Sequence, residues 1–316
     1  MDMLFFTFQH TMFYMIPLML VALGGMFSER SGVVNIALDG KMIVGALTGI
    51  LFISEFQGQE HGVMDQGILL LGLLVAMGTG MLIALLHAFA SINLKANQII
   101  SGIAINMFAP AFAVYIARFL RGTQHVFFIN QFRIESVPVL GNIPVIGPMF
   151  FQNTFITTYI GFVILAVSAF VLYKTKFGLR LRACGEHPQA ADSVGINVAG
   201  IRYAGVLISG ALAGIGGVIV IIPVSVAFSG TVSGYGFLAL AVLIFGAWKP
   251  KRILFAAFFF GIMQTMSVSH FVQQALNIPS HFLSMIPYIA TLVVLAVTSK
   301  KTVAPLAVGK PYDKSH

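Results

Sequence analysis

Runs of about twenty apolar residues recur along this chain, each the length a helix needs to cross the hydrocarbon of a bilayer. Residues 10–28, a segment ending near Ile53, 67–90, 99–117, 154–173, 203–222, 253–271 and 283–298 are read as spans. They are continuous rather than alternating, which excludes a transmembrane β-barrel. Charged residues are 9% of the 316, against roughly a quarter in a soluble domain of that length. The expected fold is all-α, a polytopic transmembrane helical bundle of about 8–10 spans. It forms a single transmembrane domain over residues 1–316.

In chain order, the N-terminal segment lacks the basic region and cleavage site of a secretory signal, so the first run reads as a retained span. Pro17 and Gly24-Gly25 interrupt it. A polar turn, Ser28–Gly32, precedes a second span that runs from Val33 to about Ile53, and an acidic loop covers 55–66. The third and fourth spans are joined by Ser91–Gln98, and residues 118–153 are the longest non-spanning stretch. A Gly/Ser-rich passage, Pro223–Gly236, leads to a short apolar run at 237–248, then to spans at 253–271 and 283–298 and a polar tail. Segments 28–40 and 223–248 suit half-helices or re-entrant pieces, because irregular backbone at membrane depth needs protein or water to satisfy it.

Residues 174–202 form a strongly polar insert with five basic residues, Lys174, Lys176, Arg180, Arg182 and Arg202, together with Glu186, His187 and Asp192. The positive-inside rule places it in the cytoplasm. Alternation then puts Lys95, the 249–252 cluster and the 300–314 tail on the same side, leaving Arg118, Arg121 and Arg133 outside. The count is about nine crossings, N-terminus out and C-terminus in. The lone Cys184 excludes an intrachain disulfide, and its basic loop suits a reducing compartment. The net charge of +8 is read as loops facing anionic lipid, not as nucleic-acid binding.

Polar residues within spans are the candidates for function. Asn35 and Asp39 are one helical turn apart and share a face. The blander role for Asp39 is an ion pair with Arg30 or Lys41 that fixes packing. Asn106 either lines a pathway or bonds a neighbouring helix, and a lone Asn more often does the second. Phe108, Phe112 and Tyr115 are placed to stack on a flat ring, although Phe at helical spacing is more often packing. The small residues from Ser209 to Gly217 allow close helix approach. The eight histidines are scattered without metal-ligand spacing, and the chain has no G-x-x-x-x-G-K-[ST] loop. No catalytic constellation appears, so the chain reads as neither an enzyme nor a metal protein, and any energy it uses is supplied by ion coupling or a partner.

Two stretches carry a resemblance: Glu29-Arg30-Ser31-Gly32-Val33-Val34-Asn35-Ile36-Ala37-Leu38-Asp39-Gly40, and the run from Gly178 to Val198. Together with Ser101–Asn106 and Gly236–Val242, they resemble permease subunits of ABC importers that handle branched-chain amino acids, monosaccharides and nucleosides. Within that group the chain is most similar to nucleoside (guanosine-type) permeases, of the smaller of two paired chains. It departs from the pattern at Asp39, where glutamate is commoner, and at His187 and Lys249-Pro250, where asparagine often stands.

The resemblance implies that 174–202 is a cytoplasmic coupling loop whose short helix, starting near Pro188, docks on an ATPase subunit. Arg180, Arg182, Gly185, Glu186, His187 and Asp192 would form that contact, while Asn35, Asp39, Asn106 and Phe108, the polar and aromatic residues within the spans, are the candidates for the substrate pathway. It also implies a homologous second permease subunit, a cytoplasmic ATPase and an extracytoplasmic substrate-binding protein, all at the cell membrane. No cofactor is bound by this chain, since ATP would be bound and hydrolysed by the partner. The rival readings are a permease for ribose or a branched-chain amino acid, an ion-coupled secondary transporter working through Asp39, and a membrane scaffold.

Overall fold

The computed structural model describes residues 2–57, 63–129, 131–269, 282–283, 285–298 and 304–313. Its helices are α1 Asp2–Arg30, α2 Leu38–Phe56, α3 Val63–Ala88, α4 Gln98–Arg121, α5 Ile156–Lys174, α6 Lys176–Glu186, α7 Pro188–Ser193, α8 Val198–Ile221, α9 Tyr235–Phe245, α10 Pro250–Val268 and α11 Ile286–Thr298. A π-helical turn, Phe89–Asn93, prolongs α3. Among the described residues, six helices (α1, α3, α4, α5, α8 and α10) are long and apolar enough to cross a membrane. The middle of the 55–66 loop and part of the 300–314 tail lie outside the described residues, as do His61, His270, His281 and His316.

Burial sorts these helices. The most apolar stretch of α1 is wholly buried and that of α8 mostly so, whereas few residues of α4 and α5 are buried. A helix apolar all round belongs in the middle of a bundle, and α1 and α8 form that centre, with α2, α3, α9 and α10 packed against them. Pro17 and Gly24-Gly25 do not break α1. Gly24 instead lets α1 approach the backbone of Ser209 on α8.

The small-residue stripe on α8 does what its spacing predicts. An added Cβ on Gly214 would lie 2.1 Å from the carbonyl oxygen of Ala76 on α3, and one on Gly217 2.0 Å from that of Met42 on α2. Backbone-to-backbone approach of this kind is how helices associate in lipid, where no hydrophobic gain separates helix–helix from helix–lipid contact.

One end of the bundle gathers the C-terminal end of α1, α6, α7, the α3–α4 link, Trp248 and the tail. Arg30 stands 3.7 Å from Glu186, and Lys95 2.7 Å from Asp313. The opposite end joins Gln9 to Pro148, Gln57 to Ile129 and Arg121 to Glu55. There two short antiparallel pairs form, β1 (Val126–Phe127) with β4 (Ala227–Phe228) and β2 (Arg133–Ser136) with β3 (Gln152–Phe155). The sequence-derived alternation therefore holds for Lys95 and the insert, which share an end. Arg118 and Arg121 are corrected: they belong to the last turn of α4 rather than to a loop, where their charge suits the carbonyl end of the helix.

The insert is more helical than a loop. Thr175 caps α6 by accepting from Gly178 N–H at 3.1 Å, and Gly178, Leu181, Cys184 and Gly185 form its buried face. Pro188 opens α7 at its first position, as expected, since its missing N–H leaves nothing unsatisfied there. Asn197 caps α8, so residues 198–202 belong to that span, and Arg202 is buried on α8 rather than displayed on the insert.

Substituting Gly217 with Ala is expected to destabilise the bundle by about 1–3 kcal/mol through the clash with Met42. At the exposed Gly78, which has open space around it, Ala should be neutral or stabilising by up to about 1 kcal/mol. Thermal unfolding of the two purified variants in detergent gives the comparison.

Candidate functional site

Between α1 and α2 the chain is not helical from about Ser31 to Ala37, so its backbone groups need other partners inside an apolar bundle. Side chains from surrounding helices supply them. Gln98 Oε1 accepts from Val34 N–H at 2.8 Å, and Ser28 Oγ donates to Val33 O at 2.9 Å. His87 Nε2 lies 2.9 Å from Val34 O and Nδ1 lies 3.1 Å from Ser101 Oγ. That geometry puts the ring proton on Nε2 and leaves Nδ1 to accept the serine proton. Asn106 donates Nδ2–H to Ile36 O at 2.9 Å and accepts Gly40 N–H at 2.8 Å, closing the break onto the start of α2.

Asn35 is fully buried and does not face an opening. Its Oδ1 accepts from Lys41 Nζ at 2.6 Å, and its Nδ2 donates to Ser209 Oγ on α8. Lys41 is itself fully buried, and the side-chain amide is what its Nζ bonds. At the other side of the break, Glu29 Oε2 accepts from Trp248 Nε1 at 2.6 Å, and the Arg30 guanidinium donates to Trp248 O. The end of α1 is thus tied to the C-terminal end of α9.

Asp39 does not pair with Arg30 or Lys41, the bland role weighed from the sequence. Its Oδ1 accepts from Gly236 N–H at 2.9 Å, in the first turn of α9, while Asp39 itself sits in the first turn of α2. The first turns of two helices, α2 and α9, thus meet at one carboxyl group. The approach is close: a Cβ on Gly236 would lie 2.3 Å from the Asp39 backbone. The Gly/Ser passage before α9 is unwound, as its composition suggested.

The structure therefore brings Asn35, Asp39 and Asn106 onto one short stretch of chain, 35–40, and leaves Phe108 apart. Phe108 lies on the exposed face of α4, stacked on Phe112 with ring centroids 5.2 Å apart. On α6–α7, Arg180 and His187 are exposed, and Arg182 lies over Tyr173. Asp192 is half-buried, while Glu186 stands between Arg30 and Leu306 N–H. Gly185 is packed directly against Arg30 O, where no side chain would fit. Among the described residues, no three His, Cys, Asp or Glu side chains gather as metal ligands.

Sequence reasoning missed Lys41, His87, Gln98, Ser101 and Ser209 as partners of the break. A single polar residue in an apolar helix carries no mark of its partner. The available signal was Ser28–Lys41 itself, with Glu29, Arg30, Asp39 and Lys41 packed into a stretch between two spans.

A bundle of apolar helices with a side-chain-satisfied break and a small helical insert at one end is a polytopic helical membrane protein. A family profile described as branched-chain amino acid transport system / permease component matches residues 8–297, and the chain belongs to that family. It is similar to the guanosine ABC transporter permease protein NupQ of Bacillus subtilis, 44% identical, covering 96% of this chain and 95% of that one. It is also similar to the nucleoside ABC transporter permease protein NupC of Lactococcus lactis, 40% identical, with 96% and 95% covered. The nucleoside permease NupB of the same organism matches at 25% over 79% of this chain and 69% of its own. No solved structure matches.

Asn35→Ala should cost about 1–3 kcal/mol, because it leaves the buried Lys41 Nζ and Ser209 hydroxyl without the amide they bond. Lys41→Met, which keeps the stem and removes the polar Nζ, should recover much of that loss in the double variant. Thermal melts of the two single variants and the double variant measure both effects.

Proposed function

We propose that this chain is the membrane permease subunit of an ATP-driven nucleoside importer, working with a homologous second permease, a cytoplasmic ATPase and an extracytoplasmic binding protein. The observation that carries the reading is the tie between α6 and the break. Gly185 packs on Arg30 O and Glu186 faces Arg30, six residues before the Asn106-bonded stretch. Near full-length likeness to two nucleoside permeases supports the substrate class.

In this reading the end bearing α6, α7 and the tail is cytoplasmic, and α6–α7 docks on the ATPase. Arg180 and His187 present donors there, and Glu186 and Asp192 carboxylates. ATP-driven movement of α6–α7 is passed through Arg30 to residues 31–40 and so to the N-termini of α2 and α9. Asp39 and Asn106 are the polar groups that a nucleoside's hydroxyls and base edges would meet once those helix starts separate. Asn35 acts by holding Lys41 and Ser209, not by touching substrate. Phe108 belongs to the face of α4 that a second permease or lipid would cover.

The test is uptake of radiolabelled guanosine, ribose and leucine by cells with and without this chain, with ATP depletion as control. Loss of ATP-dependent guanosine uptake alone is expected, and loss of only ribose or leucine uptake would overturn the substrate class. Two variants then separate mechanisms. Glu186→Arg should abolish uptake while leaving the chain in the membrane. Asp39→Asn keeps the acceptor for Gly236 N–H, so the fold should survive, and an ATP-driven pathway should retain measurable uptake. An ion-coupled carrier relying on that carboxylate would lose uptake entirely and be indifferent to Glu186→Arg.

A further inference from the structure

The tail segment 304–313 folds back across the end of the bundle that carries α6 and α7. Ala307 N–H donates to Gly185 O at 2.9 Å, and Leu306 N–H to Glu186 Oε2 at 3.3 Å. Two residues later, Gly309 N–H donates to Gly32 O at 3.2 Å, on the non-helical break. Both glycines are in the left-handed region, Gly309 at φ +78° and Gly32 at φ +98°, which favours residues without a Cβ. Lys310 O accepts from Arg202 Nη1 at 3.2 Å, and Asp313 reaches Lys95 in the α3–α4 link. Tyr312 lies beneath the Arg202 guanidinium, 5.9 Å to the ring centre, and packs on the buried cluster of Cys184, Ala191 and Val198.

Ten residues thus touch α6, α7, α8, the α3–α4 link and the break at once. Without them, α6 would meet the break through Gly185 against Arg30 O and through the Arg30–Glu186 pair. That pair, at 3.7 Å and partly exposed, is a weak tie. The tail adds a hydrogen bond to each side of the joint, at Gly185 and at Gly32, and clamps both to α8 through Arg202.

We propose that residues 304–313 are a coupling strap that makes α6–α7 and the 31–37 break move as one body, with Tyr312 as its positioning residue. It rests on the function proposed above. Force applied to α6–α7 then reaches Asp39 and Asn106 instead of being absorbed by flexing at Thr175 and Asn197, where α6 and α8 begin. The individual contacts are weak enough for the strap to be released and re-formed during a transport cycle.

The test uses the assembled transporter in proteoliposomes, with the full chain, a chain ending before Ala304, Tyr312→Ala and Tyr312→Phe. Cys184, the chain's lone cysteine, reports the strap directly: it is buried under Tyr312, and burial raises its thiol pKa, so alkylation by N-ethylmaleimide starts slow. Truncation and Tyr312→Ala should accelerate Cys184 alkylation several-fold and cut nucleoside uptake several-fold while ATP hydrolysis persists. Tyr312→Phe, which keeps the ring, should behave as the unaltered chain in both readouts. If Cys184 is uncovered and uptake per ATP hydrolysed stays unchanged, the proposal is overturned. Unchanged alkylation after truncation would also overturn it, since no strap would then be covering the joint. If the truncated chain fails to assemble, Tyr312→Ala decides by the same two readouts. Should the unaltered complex carry no nucleoside, the function proposed above fails by itself, and the strap is judged by the same ratio for the solute it does carry.

Discussion

A polypeptide that leaves its helix inside an apolar bundle must find a partner for each exposed N–H and C=O, and this requirement at residues 31–37 organises much of the molecule. Each unsatisfied group there would cost several kcal/mol. Val34 N–H and O, Val33 O, Ile36 O and Gly40 N–H are bonded by Gln98, His87, Ser28 and Asn106. Gln98 and Asn106 lie on α4 and His87 on α3, so α3, α4 and the break are positioned by one another. Ser209 on α8 joins through Asn35. The polar residues that look like functional outliers in the sequence are, in the first instance, the means by which the break exists.

That arrangement has a mechanical consequence. An unbroken helix between Arg30 and Leu38 would transmit motion along one axis only. Here the end of α1, the starts of α2 and α9 and the flank of α4 meet at a joint made of hydrogen bonds, each of modest net strength. Changing such a joint requires new partners or water to replace the bonds it loses. Asp39 is central to it because its side chain, in the first turn of α2, accepts from Gly236 N–H in the first turn of α9.

The membrane architecture was legible in the sequence because span length and apolar content are local properties. The start of α7 at Pro188 was legible for the same kind of reason: the first turn of a helix has a use for proline. The small residues of α8 could also be read, since a stripe from Ser209 to Gly217 has few uses other than close packing. Tertiary partnerships were not legible. Nothing in the sequence around His87 or Gln98 indicates that both serve Val34, and nothing in the tail indicates that Gly309 meets Gly32. Asn35, Asp39 and Asn106 do meet around residues 35–40, but the partners that hold them there, Lys41 and Ser209 for Asn35 and Gly236 for Asp39, carry no mark in the sequence. Phe108 was grouped with Asn106 by closeness in sequence, yet two helical positions turn it to the exposed face.

Amide hydrogen exchange of the purified chain, read by mass spectrometry on peptides spanning 31–40, tests the central claim most directly. If side chains satisfy the break, Val34 and Gly40 amides should be protected nearly as well as those of α1 and α2 on either side. Exchange across 31–40 as fast as in an open loop would contradict the account, because the joint would then be a flexible connection rather than a bonded one.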